Sequence, residues 1–305
     1  MKILITGANG QLGTELRHQL KNGECSLGRL SRELQEATVI ATDVGVKDMY
    51  ELDITNQAQV LEFAAEHQPD VIVCCAAYTN VDGCEANRQD AFRVNALGPR
   101  NLAMAAQKIG AKLLHVSTDY VFSGEQNGNL ALDEASLPNP VSAYGETKRL
   151  GEAYVQTFCD KFFIVRTAWL YGHYGKNFVF TMMNAGEKLG TLTVVDDQLG
   201  NPTNAEDLAY HILKLIVTTE YGIYHCTGEG VCSWYEFAKE IIHLSGVQAQ
   251  VFPCTSEEYA QKNPKAAKRP AWSALENQML ACTVGNEMRH WKEALKHFFE
   301  TKHEA

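Results

Sequence analysis

Hydrophobic and polar positions follow two rhythms along the first half of the chain. Unbroken apolar runs ("KILIT", "TVIATD", "DVIVCCAA", "KLLHVS", "FFIVRTA") alternate with longer stretches in which apolar residues recur every three or four positions. The unbroken runs read as strands buried on both faces, and the longer recurrence reads as helix. Helices are predicted over residues 11–21, 56–67, about 84–109 and about 144–158. Strands joined by helical crossovers predict an α/β fold, a doubly wound parallel sheet.

Beyond residue 170 the rhythm loosens. "YGHYGKNFVFTMMNAGEK" predicts a loop and a helix, and "LTVVDDQLGNPT" a strand and a loop. A helix at 205–217, a strand at "GIYHCTG" and a helix at 233–245 follow. The tail holds the strand-like "QAQVFPCT" and the helical "VGNEMRHWKEALKHFFE". The expectation is a first domain of residues 1–170 with a return segment at about 200–230. A smaller, discontinuous α+β domain is expected from about 171–199 and 231–305, with the site in the cleft between the two.

Composition narrows the class. The 305 residues are 45% hydrophobic and 21% charged, the profile of a folded globular protein. A formal charge of −10 leaves no basic footprint, so neither nucleic acid nor an anionic membrane is an expected partner. No run approaches the roughly 18 apolar residues of a bilayer span. "MKILITG" breaks at a glycine too early for a signal-peptide core, which makes the cytoplasm the expected location. The 9 cysteines are scattered without a framework, as buried reduced thiols would be. C-x-x-C and H-x-x-x-H are both lacking, so no metal site is expected.

Chemistry enters with "GANGQLG", where Gly7, Gly10 and Gly13 follow the first strand and open a helix at Gln11. Glycines at this spacing let backbone N–H groups approach a pyrophosphate that faces a helix N-terminus. The sheet is therefore expected to be Rossmann-type and the first domain to bind a dinucleotide. Asp43, ending the second strand, is placed to take the adenosine ribose hydroxyls. It lies 30 residues beyond Gly13, which marks "GECSLGRLSREL" as an inserted excursion beside the adenosine site. No Arg follows Asp43 to hold a 2′-phosphate, a lean toward NADH over NADPH. Asp53 and Ile54 in "ELDIT" would approach the adenine.

"YGETK" sets Tyr144 and Lys148 one helical turn apart on the same face. Beside a nicotinamide, the Lys148 ammonium would lower the phenol's pKa and let Tyr144 pass a proton near neutral pH. Ser117 and Thr118 end the preceding strand, at the edge where doubly wound sheets place ligands.

The glycine loop, Thr118 and the Tyr144/Lys148 pair resemble the extended short-chain dehydrogenase/reductases. "AAYTNVD", "STDYVF", "YGETKRLGE", "RTAWLYG", "VVDDQLGNPT" and "KRPAWSAL" are similar to their dTDP-4-dehydrorhamnose reductase branch, from residue 1 to about 275. The resemblance implies reduction of the C4 carbonyl of a dTDP-4-dehydro-6-deoxy sugar by NADH or NADPH. Tyr144 would give the proton, Thr118 would bond the oxygen, and Lys148 would position the cofactor. It implies substrate contacts at Thr118, Asp119 and Trp169. It implies cofactor contacts at Gly10, Gln11, Leu12, Asp53, Ile54, Ala76, Ala77 and Tyr78, with Asn95 matching a superfamily asparagine. Arg269 either binds the diphosphate or lies on the surface. Some relatives form metal-bridged dimers through acidic side chains, with Glu15 and Asp196 or Asp197 as candidates here. Solvated helix and loop charges explain those acids equally, so a homodimer stays open.

Two rival readings stand beside this one. Dehydratases of the superfamily carry Asp-Glu after the active-site Thr, whereas Asp119 is followed by Tyr120; epimerases are harder to separate. A regulatory subunit like the methionine adenosyltransferase β subunit would tolerate a degraded site, and Thr118, Tyr144 and Lys148 are intact.

Overall fold

The computed structural model describes residues 1–125 and 130–301. Seven parallel strands form the central sheet. In spatial order they are Gly222–His225, Phe162–Thr167, Lys112–Thr118, Val71–Cys74, Lys2–Thr6, Thr38–Asp43 and Tyr50–Glu51. The unbroken apolar runs are explained by burial on both faces. Ile3, Ile5, Val71, Val73, Phe163 and Val165 face one core; Leu4, Ile72, Leu113 and Ile164 face the other. Helices Gln11–Asn22 and Ala205–Ile216 cover the first core with Leu12, Leu16, Leu208 and Ile212. Helices Gln57–His67, Gly98–Ile109 and Ala143–Phe158 cover the second.

Helix 205–216 and strand 222–225 thus return to the first unit. A second unit gathers Phe178–Leu189, Trp234–Ser245 and Trp291–Glu300 around Tyr171, Val179, Phe237 and Leu295. Strands Thr191–Val195 and Gln250–Cys254 pair in parallel beside it. No helix among the described residues is long and apolar enough to cross a membrane.

Four expectations are corrected. The helix expected at about 84–109 is segmented: Val81–Ala86, Arg88–Phe92, a π turn Arg93–Leu97, then Gly98–Ile109. Asn87 breaks it, because its own amide donates to Gly83 O at 3.2 Å. Residues 284–290 are not helical, since two of their backbone donors go to helix 205–216: Glu287 N to His211 Nε2 and Arg289 N to Asp207. The excursion after the first helix is a hairpin, Glu24–Cys25 with Gly28–Arg29, followed by a short helix Arg32–Gln35. Ser26 N donates to Glu206 at 2.9 Å, so the hairpin seats on helix 205–216 and lines no part of the adenosine end. Glu15 is not a solvated helix charge. It is 2% exposed and accepts from Gln19 Nε2 at 2.9 Å, while burial raises its pKa.

Candidate active site

A cavity of about 880 Å³ opens along the C-terminal ends of the strands. Gly7, Gly10, Gln11, Leu12, Gly13, Asp43, Asp53, Ile54, Ala76 and Ala77 line one part of it. Thr118, Asp119, Tyr144, Lys148, Trp169 and Arg269 line the other. The sequence motifs that pointed separately to a dinucleotide and to proton transfer therefore share one space.

Backbone fit tests the dinucleotide reading. Gly7 has φ +66, and a Cβ there would lie 2.6 Å from Ala76 N, so only glycine lets the loop pass this close to the Val71–Cys74 strand end. The next helix then starts at Gln11 with its N–H groups toward the cavity. Asp43 accepts from Asn9 N at 2.9 Å and Val44 N at 2.8 Å, which fixes its carboxylate beside that loop.

Two predicted cofactor contacts do not reach the cavity. Asn95 is fully buried on the π turn; it accepts from Tyr78 N at 2.8 Å and donates to Tyr78 O at 3.1 Å. Its amide braces the segment that carries Ala76 and Ala77 through the backbone N–H and carbonyl of Tyr78.

The reactive end is built from a strand end and a helix start. Ser142 caps Ala143–Phe158 by accepting from Gly145 N, which sets the first turn, and so Tyr144, against Tyr120 at a ring separation of 5.6 Å. Burial raises the Tyr144 phenol's pKa, and a hydrogen bond with Thr118 opposes the rise. Lys148 Nζ donates to Val116 O at 2.6 Å and sits 3.4 Å from His115 Nε2. Burial drives Lys148 down to about 8. His115 stays neutral, its pKa held well below the usual range by burial and by the Lys148 charge.

Thr118 Oγ1 donates to Asp119 Oδ1 at 3.0 Å and accepts from Tyr120 N at 3.2 Å. Asp119 is 1% exposed, and burial lifts its pKa to about 6. Hydrogen bonds with Ser273 and Thr118 oppose that rise.

Sequence reasoning missed the buried frame under this end. Glu152 and Arg166 form a bidentate pair with both contacts at 2.9 Å, and Ser117 Oγ donates to Glu152 Oε1 at 2.7 Å. Ser117 precedes Thr118, and Glu152 lies one turn beyond Lys148, so the pair locks the strand end to the helix. The "RLGE" following Lys148 was the available signal.

Arg269 lies on the wall shared with a second cavity of about 680 Å³, which Phe178, Met182, Val194, Trp234 and Tyr259 also line. Its Nη2 is 3.6 Å from Asp82 Oδ1, and Ala267 N donates to the same oxygen at 2.9 Å. Arg269 Nε is buried without a partner. Trp169 adopts φ +47, a left-handed conformation that costs a bulky residue about 1–3 kcal/mol. Among the described residues no cluster of three or more His, Cys, Asp or Glu is placed to hold a metal.

Comparison with known proteins agrees along the whole chain. The family model described as "RmlD substrate binding domain" matches residues 1–303. The spore coat polysaccharide biosynthesis protein SpsK of Bacillus subtilis is 38% identical, over 100% of this chain and 99% of its own length. The structure of a dTDP-4-dehydrorhamnose reductase from Clostridium acetobutylicum is 48% identical with a TM-score of 0.89, covering 98% of this chain and 99% of its own. One from Bacillus anthracis, solved in complex with NADP, is 42% identical with a TM-score of 0.88 and the same coverage. UDP-glucose 4-epimerase and dTDP-glucose 4,6-dehydratase structures at 19% identity share the fold alone. A match spanning both the glycine-loop cavity and the second unit places this chain in the RmlD substrate-binding-domain family, that of the dTDP-4-dehydrorhamnose reductases.

Proposed function

We propose that the protein reduces the C4 keto group of dTDP-4-dehydro-6-deoxy-L-mannose to dTDP-L-rhamnose with NADH or NADPH. The observation that carries this reading is that Thr118, Tyr144 and Lys148 line the same cavity as the glycine loop. A reduced nicotinamide bound there supplies the hydride. Tyr144, kept protonated by burial, gives its proton to the carbonyl oxygen as charge develops on it. Thr118 turns its hydroxyl from Asp119 toward the same oxygen, and Lys148 holds the dinucleotide end by charge. The second cavity, joined to the first through Trp234 and Arg269, takes the nucleotide, with Arg269 exchanging Asp82 for the diphosphate. Tyr120 after Asp119 withholds the glutamate that dehydration requires, and an intact Thr118/Tyr144/Lys148 set favours catalysis over a purely regulatory role.

The test is purified protein with the keto-sugar nucleotide and each cofactor in turn. Loss of nicotinamide absorbance with dTDP-L-rhamnose as product is the expected result; no consumption of either cofactor overturns the reading. The preferred cofactor then assigns the role of Asp43, which the NADP-bound relative leaves open for this chain.

Lys148 sets the pH dependence. Its folded pKa lies near 8, below the ordinary lysine range, so the free enzyme loses the ammonium as pH rises through about 8. The kcat/KM for the dinucleotide is expected to fall about tenfold per pH unit above that point, since this parameter reports the free enzyme. Lys148→Arg, whose guanidinium stays charged, should flatten that limb. A wild-type profile flat to pH 10 would overturn the assignment.

A further inference from the structure

We infer that Trp234, together with Gly200, is a positioning residue: the two form a slot that clamps the Trp169 indole and thereby sets how the sugar ring sits at the reactive end. The inference rests on the reductase reading above. Three observations on separate chain segments carry it.

Trp169 holds a backbone conformation that a bulky side chain rarely adopts, with φ +47. Strain of this kind persists only where the surroundings over-determine it. Two hydrogen bonds pin the turn: Thr203 N donates to Trp169 O at 3.3 Å, and Gln11 Nε2 donates to Leu170 O at 3.2 Å. The backbone is thus fixed, and the indole is aimed into the cavity wall.

The indole then meets two close neighbours. Trp234 stacks on it at a ring separation of 3.6 Å with 9° between planes. At the Cε2–Cζ2 bond, a Cβ on Gly200 would lie 2.8 Å from Trp169 Cε2, 2.9 Å from Cζ2 and 2.9 Å from Ser273 Oγ. Gly200 has no positive φ, so the indole and the Ser273 hydroxyl, rather than the backbone, exclude a side chain at that position. The Leu199–Gly200 strand pairs with Cys232–Ser233, which places the glycine and Trp234 in adjoining parts of one ladder.

Trp234 is itself rigidly mounted. It is the first residue of its helix, whose N-cap is a capping box between Ser233 and Glu236, and Phe178 packs on its ring at 4.5 Å. It lines both cavities, whereas Trp169 lines only the one holding Tyr144 and Thr118. A sugar nucleotide spanning the two cavities must pass the slot, and the indole edge limits where its ring can rest. Trp234 acts through Trp169 and touches no reacting atom.

The experiment compares wild type, Trp234→Ala, Trp234→Phe and Gly200→Ala in the reductase assay, with dinucleotide affinity measured separately by calorimetry. Stacking of the two indoles is followed by its exciton band in circular dichroism. For Trp234→Ala and Gly200→Ala, kcat/KM for the keto-sugar is expected to drop about 10- to 100-fold, the range for a displaced positioning contact. Dinucleotide affinity is expected to stay at the wild-type value, with the exciton band lost or reduced. Trp234→Phe should recover most of the activity, because a flat ring is retained. Unchanged kcat/KM in Trp234→Ala, or a parallel loss of dinucleotide affinity, overturns the slot while an active wild type leaves the reductase reading standing. An inactive wild type overturns the reductase reading and the slot with it. If Trp234→Ala does not fold, Gly200→Ala and Trp234→Phe decide between the same outcomes.

Discussion

Tyr144→Phe is expected to lower kcat for keto-sugar reduction by about 10²- to 10⁴-fold, the range for loss of a positioned proton donor. The substitution removes one oxygen and keeps the ring, so the edge-on packing against Tyr120 survives and dinucleotide affinity should stay close to wild type. Thr118 loses a hydrogen-bond partner and retains Asp119 and the Tyr120 N–H, so the strand end holds its shape. Rapid-quench measurement of the reduction step, alongside steady-state rates, separates a slowed chemical step from slow product release. A kcat within about tenfold of wild type would assign the proton to another group.

Glu152→Ala should destabilise the protein by about 3–5 kcal/mol, because it strands the Arg166 guanidinium in a site where that residue is 2% exposed. Urea unfolding followed by circular dichroism measures this. The double replacement Glu152→Leu/Arg166→Met should regain most of the loss, since a well-packed apolar pair needs no counterion. A loss below about 1 kcal/mol in the single variant would mean that water satisfies the Arg166 guanidinium in place of the carboxylate. The residual activity of the folded fraction also reports on the site, as Ser117 would lose its acceptor one residue before Thr118.

Much of this architecture can be read from the chain because its signals are local. Strands Lys2–Thr6, Thr38–Asp43, Lys112–Thr118 and Phe162–Thr167 are each an apolar run whose meaning does not depend on distant partners. The glycine loop and the Tyr144/Lys148 turn carry their chemistry in their spacing. What escapes the sequence is made by tertiary meeting. Nothing near Gly200 or Trp234 announces that their surfaces enclose an indole from residue 169. Nothing near Glu15 says that helix 205–216 will cover it. Asn95 was legible from its motif, while only the π turn reveals that its amide faces the backbone of Tyr78. The pairing of Tyr144 with Lys148 on one helix turn was legible, while the raised pKa of the phenol depends on burial that no local spacing announces.

The two bonds that converge on Asp82 have a mechanical consequence. The Ala267 N–H and the Arg269 guanidinium meet one carboxylate oxygen, and their chain segment walls both cavities. Drawing the guanidinium away toward an anion releases one fastening and leaves the other in place. Losing either contact alone therefore leaves the segment tethered to Asp82 by the other, so the wall common to both cavities has two independent fastenings at one atom.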